Sequence, residues 1–222
     1  MPIGEQMAKL QLASELHALP EESRFPPLQP IGLQIVFPHG IARGEIIEVH
    51  GKRSSGRLSV CLHILAGATA RGEICAVVDL NGSFDPASAA AAEVRLAKIV
   101  WVRCGGNAEH ALRAADLLLH AGGFGVVLLD LTEAPARVLN RIPLSYWHRF
   151  RRAVANTPSI LLLSADTPQA KSCARSTVQM KRKAFHWSGK APFLVLRKLE
   201  TLALQQKIAA IRPEPLLLET AA

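Results

Sequence analysis

The stretch from Arg43 to Ser59, RGEIIEVHGKRSSGRLS, limits the possible folds of this chain more than any other. A short apolar strand pattern runs into a turn rich in glycine and serine, Gly51 to Gly56, and a helical apolar pattern follows at once. This order suits a phosphate cradle, because the loop N–H groups and the helix N-terminus attract negative charge. We predict a phosphate-binding loop; an ordinary glycine turn is the alternative.

The loop keeps the spacing of a phosphate-binding loop but not its chemistry. The full signature is glycine, four residues, glycine, lysine, and serine or threonine. Arg57 stands in place of the lysine, and Leu58 replaces the hydroxyl residue that binds Mg²⁺. Ser59 is one residue late, about 100° further round the helix, and should not substitute. The candidate nucleotide-binding residues, which include an aspartate at the end of a later strand, are Gly51, Ser54, Ser55, Gly56, Arg57, Ser59 and Asp130.

Basic residues are concentrated in the second half of the chain. The formal net charge is +8, but the segment from Arg137 to Lys190 alone carries +10, with Asp166 as its one acid. This separation favours a polyanionic partner, and a solvated basic face is the alternative. Trp147 among arginines suits single-stranded bases, unless its helical spacing makes it a core residue. The candidate DNA-binding residues are Arg149, Arg151, Arg152, Arg175, Lys181, Lys183 and Lys190.

Length and composition indicate one large α/β domain. With 222 residues and 49% hydrophobic content the chain can bury a proper core, and its apolar runs are too short to span a bilayer. The start shows no basic segment followed by an apolar stretch, so we expect a cytoplasmic protein without a membrane partner. We expect no metal or redox centre, because no C-x-x-C pair occurs among Cys61, Cys75, Cys104 and Cys173.

Strand and helix patterns alternate after the loop, which predicts a mainly parallel, twisted sheet flanked by helices. Helical patterns occupy 57–70, 87–97, 108–121 and 145–157, and strand patterns occupy 73–80, 98–103, 125–131 and 159–165. A C-terminal antiparallel hairpin is expected at 176–199. We divide the chain into an N-terminal helix with a proline-rich arm (1–29), a core (30–200) and a C-terminal tail (201–222).

Several motifs resemble the core of RecA-type recombinases over about residues 30–198. Ser54-Ser55-Gly56 repeats the residues before the family's lysine, and CAVVDLNGSFDP resembles the family's Asp-Ala-Glu element with its following Asp-Pro. The resemblance sets Asn81 where the family has its water-activating glutamate, and an amide cannot accept a proton at neutral pH. It matches Asp130 to the aspartate that supports Mg²⁺, and Ala165 to a glutamine that senses the γ-phosphate.

The resemblance therefore implies a RecA-like fold that has lost its ATPase activity. The metal hydroxyl, the general base and the sensor are all missing, so we expect a protein that is not an enzyme and needs no cofactor. The retained Asp130 leaves weak binding of ATP and Mg²⁺ open.

Within this family the chain is most similar to the ImuA group, accessory proteins of bacterial damage-induced mutagenesis. The stretches that carry the similarity are FPHGIARGEIIEV, AEHALRAADLLLHAGGFGVVLLD and AKSCARSTVQMKRKAFHW. The similarity implies a DNA-repair scaffold of the SOS response that links single-stranded DNA or RecA to error-prone translesion synthesis. Its implied partners are a Y-family-like polymerase subunit and a DnaE-type polymerase. The alternatives are a DNA-dependent ATPase or recombinase that uses Arg57, and a cell-division inhibitor of the SulA type.

Overall fold

A computed structural model describes residues 25–188, 195–205 and 216–221. The predicted N-terminal helix and Lys190 lie outside these residues. The described strands are β1 (Ile46–Gly51), β2 (Cys75–Asp79), β3 (Ile99–Arg103), β4 (Val126–Asp130), β5 (Ile160–Ala165), β6 (Ser176–Ser188), β7 (Val195–Gln205) and β8 (Leu216–Ala221). The described α-helices are α1 (Arg57–Ala70), α2 (Pro86–Ala91), α3 (Ala108–Ala121), α4 (Ala136–Leu139) and α5 (Leu144–Val154).

All eight strands form one sheet in the order β3-β2-β4-β5-β1-β6-β7-β8. The first six strands in this order are parallel, and β6, β7 and β8 pair in antiparallel fashion. The predicted α/β fold with a mainly parallel sheet and a C-terminal antiparallel hairpin is confirmed. No helix within the described ranges is both long and apolar enough to cross a bilayer.

Two helices begin where the sequence signals predict. Asp85 accepts hydrogen bonds from two N–H groups of the first turn of α2, and Pro86 occupies the first helical position. Asn107 caps α3 in the same way through the N–H of His110. However, α2 ends at Ala91, earlier than predicted, and Glu93 just beyond it has a left-handed φ of 65°. A left-handed residue cannot continue a right-handed helix.

Two apolar layers cover the two faces of the sheet. One contains α1 and residues 28–41 of the lead-in, and the other contains α3 and α5. Trp147 and Phe150 of α5 are 2% and 0% exposed, and their ring centroids lie 5.8 Å apart. Trp147 is therefore a core residue, and its suggested stacking on DNA bases is wrong.

The end of the chain differs from the predicted tail. The boundary at residue 200 falls inside β7, and residues 216–221 form β8, which pairs with β7 from Ala203↔Leu216 to Lys198↔Ala221. The sequence did not indicate this strand, because its leucines are consecutive and follow two prolines, without the alternation of a half-buried strand.

Candidate functional site

The glycine loop lies at the edge of the sheet where the parallel strands end. Asp79 at the end of β2 is in register with Asp130 at the end of β4, and Asp130 is in register with Ser164 of β5. In open parallel sheets ligands bind at this carboxyl edge. The candidate nucleotide residues of the loop and Asp130 are thus on the same edge.

Strands β6 and β7 approach the two glycines of the loop closely. A Cβ atom at Gly51 would lie 2.4 Å from the carbonyl oxygen of Met180. Gly56, the N-cap of α1, has a left-handed φ of 85°, and a Cβ there would lie 3.0 Å from Cγ2 of Thr201 in β7. Glycine is therefore required at both positions by the strands packed against the loop.

The cation of the loop is turned toward the protein itself. Arg57 is 7% exposed, and its guanidinium donates a hydrogen bond to the carbonyl of Gly51. Its Nη1 also lies 2.6 Å from Oδ1 of Asp166, an ion pair by distance rather than an aligned hydrogen bond. The N–H of Ser55 donates to the carbonyl of Lys52 at 3.2 Å. The Arg57 cation and the N–H group of Ser55 are thus bound to groups of the protein itself.

The two in-register aspartates have different surroundings. Asp79 accepts from the N–H groups of three consecutive loop residues, 82–84, at 2.8–3.1 Å, and from the indole of Trp101 at 3.1 Å. Asp130 accepts from the hydroxyl of Ser83 at 2.5 Å and from the N–H of Thr132 at 3.0 Å. Burial raises the pKa of Asp130, and these hydrogen bonds only partly oppose that effect.

The positions of the missing catalytic groups have structural contacts instead. Nδ2 of Asn81 donates to the carbonyl of Thr132 at 2.7 Å, which ties together the loops after β2 and β4. Ala165 is fully buried in the layer of α3 and α5. The remaining candidates are an exposed Ser54 with a left-handed φ of 57° and a partly exposed Ser59.

The predicted DNA-binding residues around β6 divide between its start and its middle. Arg175 directly precedes β6, whereas Lys181 and Lys183 follow Met180, the last residue of β6 that pairs with β1. At about 3.3 Å per residue, Arg175 and Lys181 are some 20 Å apart along the strand. The two-residue period of a strand would set Lys181 and Lys183 on one face, but a register shift between Arg182 and Ala184 interrupts this alternation.

The other predicted arginines lie on α5. Arg149 is paired with Asp116 of α3 at 2.5 Å. Arg151 and Arg152 are exposed at the end of the helix, on the amino edge of the sheet and opposite the glycine loop. Sequence reasoning did not find the contacts of Asp166 and Thr201 with the loop. The signal for Asp166 was its position as the one acid in the basic segment, directly after β5.

Comparison with known proteins finds similarity to RecA over part of the chain. Residues 30–138 match the RecA N-terminal domain. RecA of Rickettsia massiliae is 35% identical over 105 residues, which cover 47% of this chain and 30% of that protein. RecA of Cutibacterium acnes is 37% identical over 95 residues, 43% of this chain and 27% of that protein. The matches thus span less than a third of these relatives.

A similarity of fold reaches beyond the matched segment. A crystal structure of the RadB recombinase superposes with a TM-score of 0.60 and covers 89% of this chain and 96% of its own, at 14% sequence identity. The similarity of fold to this structure therefore includes the C-terminal part of the chain, beyond residue 138 where the sequence match ends.

Proposed function

We propose that this chain, a RecA-like protein, is a non-catalytic scaffold for damage-induced translesion synthesis. In this role it would link single-stranded DNA, or a RecA filament, to an error-prone polymerase of the DnaE type and its Y-family-like subunit. The similarity of its degenerate loop and basic hairpin to the ImuA group supports this assignment.

The internal engagement of Arg57 is the observation that carries the proposal. A phosphate-binding cation has to face the ligand, but this guanidinium contacts Gly51 and Asp166 and is nearly buried. Releasing it to meet a phosphate would leave the Asp166 carboxylate without its cation and would move a side chain packed against the loop. Arginine is also a longer, planar group that does not replace a compact ammonium at a tight site.

The second candidate function is a DNA-dependent ATPase or recombinase. The buried Asp130 at the end of β4 favours it, since a carboxylate at this edge could support Mg²⁺. Its hydroxyl partner is Ser83, however, and Leu58 offers no oxygen for the metal. The supporting observation is thus a single residue, against three replaced catalytic groups.

We expect ATP hydrolysis well below the ordinary enzymatic range, which starts at about 1 s⁻¹. Release of phosphate is measured at steady state with Mg²⁺ and single-stranded DNA present, with an active RecA as the positive control. The matched variant Asp166→Ala frees Arg57 from its ion pair and should still not hydrolyse ATP, because the metal hydroxyl and the base are absent. Turnover near 1 s⁻¹ by the unaltered protein would select the ATPase instead.

A further inference from the structure

A basic cleft lies at the amino edge of the sheet, away from the glycine loop. It has a volume of about 470 Å³ and is lined by His148, Arg151 and Arg152 of α5 and by Ala155 just after the helix. Both arginines are exposed, and no ion pair within the described residues involves either of them. The cleft therefore presents two guanidinium groups to the solvent.

The connection into β6 adds positive charge beside this cleft. A short helical turn, Lys171–Cys173, packs against α5, and Sγ of Cys173 lies 3.5 Å from Nδ1 of His148. Lys171 and Arg175, on either side of the buried Cys173, are both exposed. The fold thus brings together two basic stretches that are separated in sequence by β5.

One acidic residue partly balances these charges. Glu45 directly precedes β1. Burial raises the pKa of its carboxyl above the ordinary value, and the charges of Arg175 and then Arg151 oppose this shift without cancelling it. Arg175 lies beside Glu45, since its N–H donates to the carbonyl of Ile46 at 2.8 Å, and the turn Lys171–Cys173 before it packs against the helix that carries Arg151. One half-buried carboxylate against several exposed cations leaves a positive local potential.

We propose that this cleft, with Arg151, Arg152 and Arg175 as its main contacts, binds the phosphate backbone of single-stranded nucleic acid. Guanidinium groups match phosphate oxygens in a bidentate manner, and clustered cations gain affinity by releasing counterions from a polyanion. The inference deepens the proposed function by giving the DNA a site on the edge opposite the glycine loop. Nucleic acid would then bind independently of any nucleotide at the loop.

Three other basic residues of the same segment are less available for this role. Arg149 is paired with Asp116, and Nζ of Lys183 lies 3.8 Å from Glu200. The guanidinium of Arg182 lies over the ring of Phe185, at 4.6 Å from its centroid. Arg149 and Lys183 are thus partly neutralised and Arg182 is stacked on a ring. No such contact of Arg151 or Arg152 occurs within the described residues.

The test compares two double variants that remove the same charge. Binding of a fluorescently labelled thymidine oligonucleotide is followed by anisotropy over a range of salt concentrations. The variant Arg151→Ala/Arg152→Ala should reduce the slope of log affinity against log salt by about 1.4, since each phosphate contact on a single strand contributes about 0.7. The variant Lys181→Ala/Lys183→Ala should leave the slope unchanged. Thermal melting establishes that both variants are folded.

Each outcome decides the proposal. A slope that falls only in the Lys181/Lys183 variant, or in neither, overturns the cleft as the site while leaving the scaffold role intact. No binding by the unaltered protein at about 50 mM salt, where non-specific contacts are strong, overturns the cleft and the proposed DNA link together. ATP turnover would contradict the scaffold role alone. The variant Arg151→Lys/Arg152→Lys keeps both charges and should keep the slope.

Discussion

Replacing Arg43 with alanine should lower the free energy of unfolding by about 3–5 kcal/mol, the usual cost of removing one partner of a buried ion pair. The Arg43 side chain is 4% exposed and pairs with both carboxylate oxygens of Glu73, at 2.6 and 2.9 Å. It also donates to the carbonyls of Gly125 and Pro158, so it joins the segments that precede β1, β2, β4 and β5. Its loss would remove the side-chain donor of the Pro158 carbonyl and of Glu73 Oε2, whereas the Gly125 carbonyl keeps its bond from the N–H of Ile160 and Glu73 Oε1 keeps its contact with Arg71.

The matched control for Arg43→Ala is Arg71→Ala. Arg71 contacts the same Glu73 carboxylate at 3.2 Å, but its side chain is 46% exposed. Exposed pairs contribute at most about 1 kcal/mol, so this variant should unfold at nearly the same urea concentration as the unaltered protein. Equal losses in the two variants, measured by urea unfolding, would show that Arg43 acts as an ordinary surface charge.

The two in-register aspartates should respond in opposite ways to replacement by asparagine. Asp79→Asn should lower the free energy of unfolding by about 2–6 kcal/mol. Each carboxylate oxygen accepts from two N–H donors, so an NH₂ group in place of either oxygen would leave two donors unpaired, at about 1–3 kcal/mol each. Asp130→Asn should be neutral or stabilising at pH 7. The NH₂ group can donate to Ser83, whose hydroxyl can turn toward Asp79 at 3.4 Å, while the remaining oxygen accepts from Thr132.

The pH dependence of Asp130→Asn follows from the raised pKa of Asp130. A folded-state pKa above the unfolded value means that the ionised carboxylate destabilises the fold. This destabilisation is complete at pH values above the folded-state pKa and absent below the unfolded-state pKa. Any gain of the variant over the unaltered protein should therefore disappear as the pH falls below about 4, near the ordinary value for aspartate. Urea unfolding of both proteins at several pH values measures this difference in the free energy of unfolding. A loss at pH 7 larger than that of Asp79→Asn would contradict this account.

Local signals in the sequence predicted most of the sheet and its helices. The Asp85-Pro86 cap and the Asn107 cap each depend on a few adjacent residues, so the start of each helix can be predicted without knowledge of the rest of the fold. A continuous apolar run such as that of β4 is likewise typical of a strand covered on both faces.

The contacts of the glycine loop could not be predicted in the same way. Arg57 meets Asp166, and Gly56 meets Thr201, across the fold and from distant parts of the chain. No spacing rule links such positions, because their proximity is set by the strand order. The same reason applies to the division of the basic residues between the two edges: Arg175 and Lys181 are close in sequence, but an extended strand separates them.

The position of β1 in the sheet has a consequence for the synthesis of the protein on the ribosome. Both neighbours of β1, namely β5 and β6, lie after residue 159 of the chain. At about 5–20 residues per second, roughly 6–23 s pass between the synthesis of Gly51 and that of Ala165. During this time the first apolar strand has no native partner, although β2, β3 and β4 can already pair. Until β5 is made, protecting the nascent chain from aggregation therefore means shielding Ile46–Gly51.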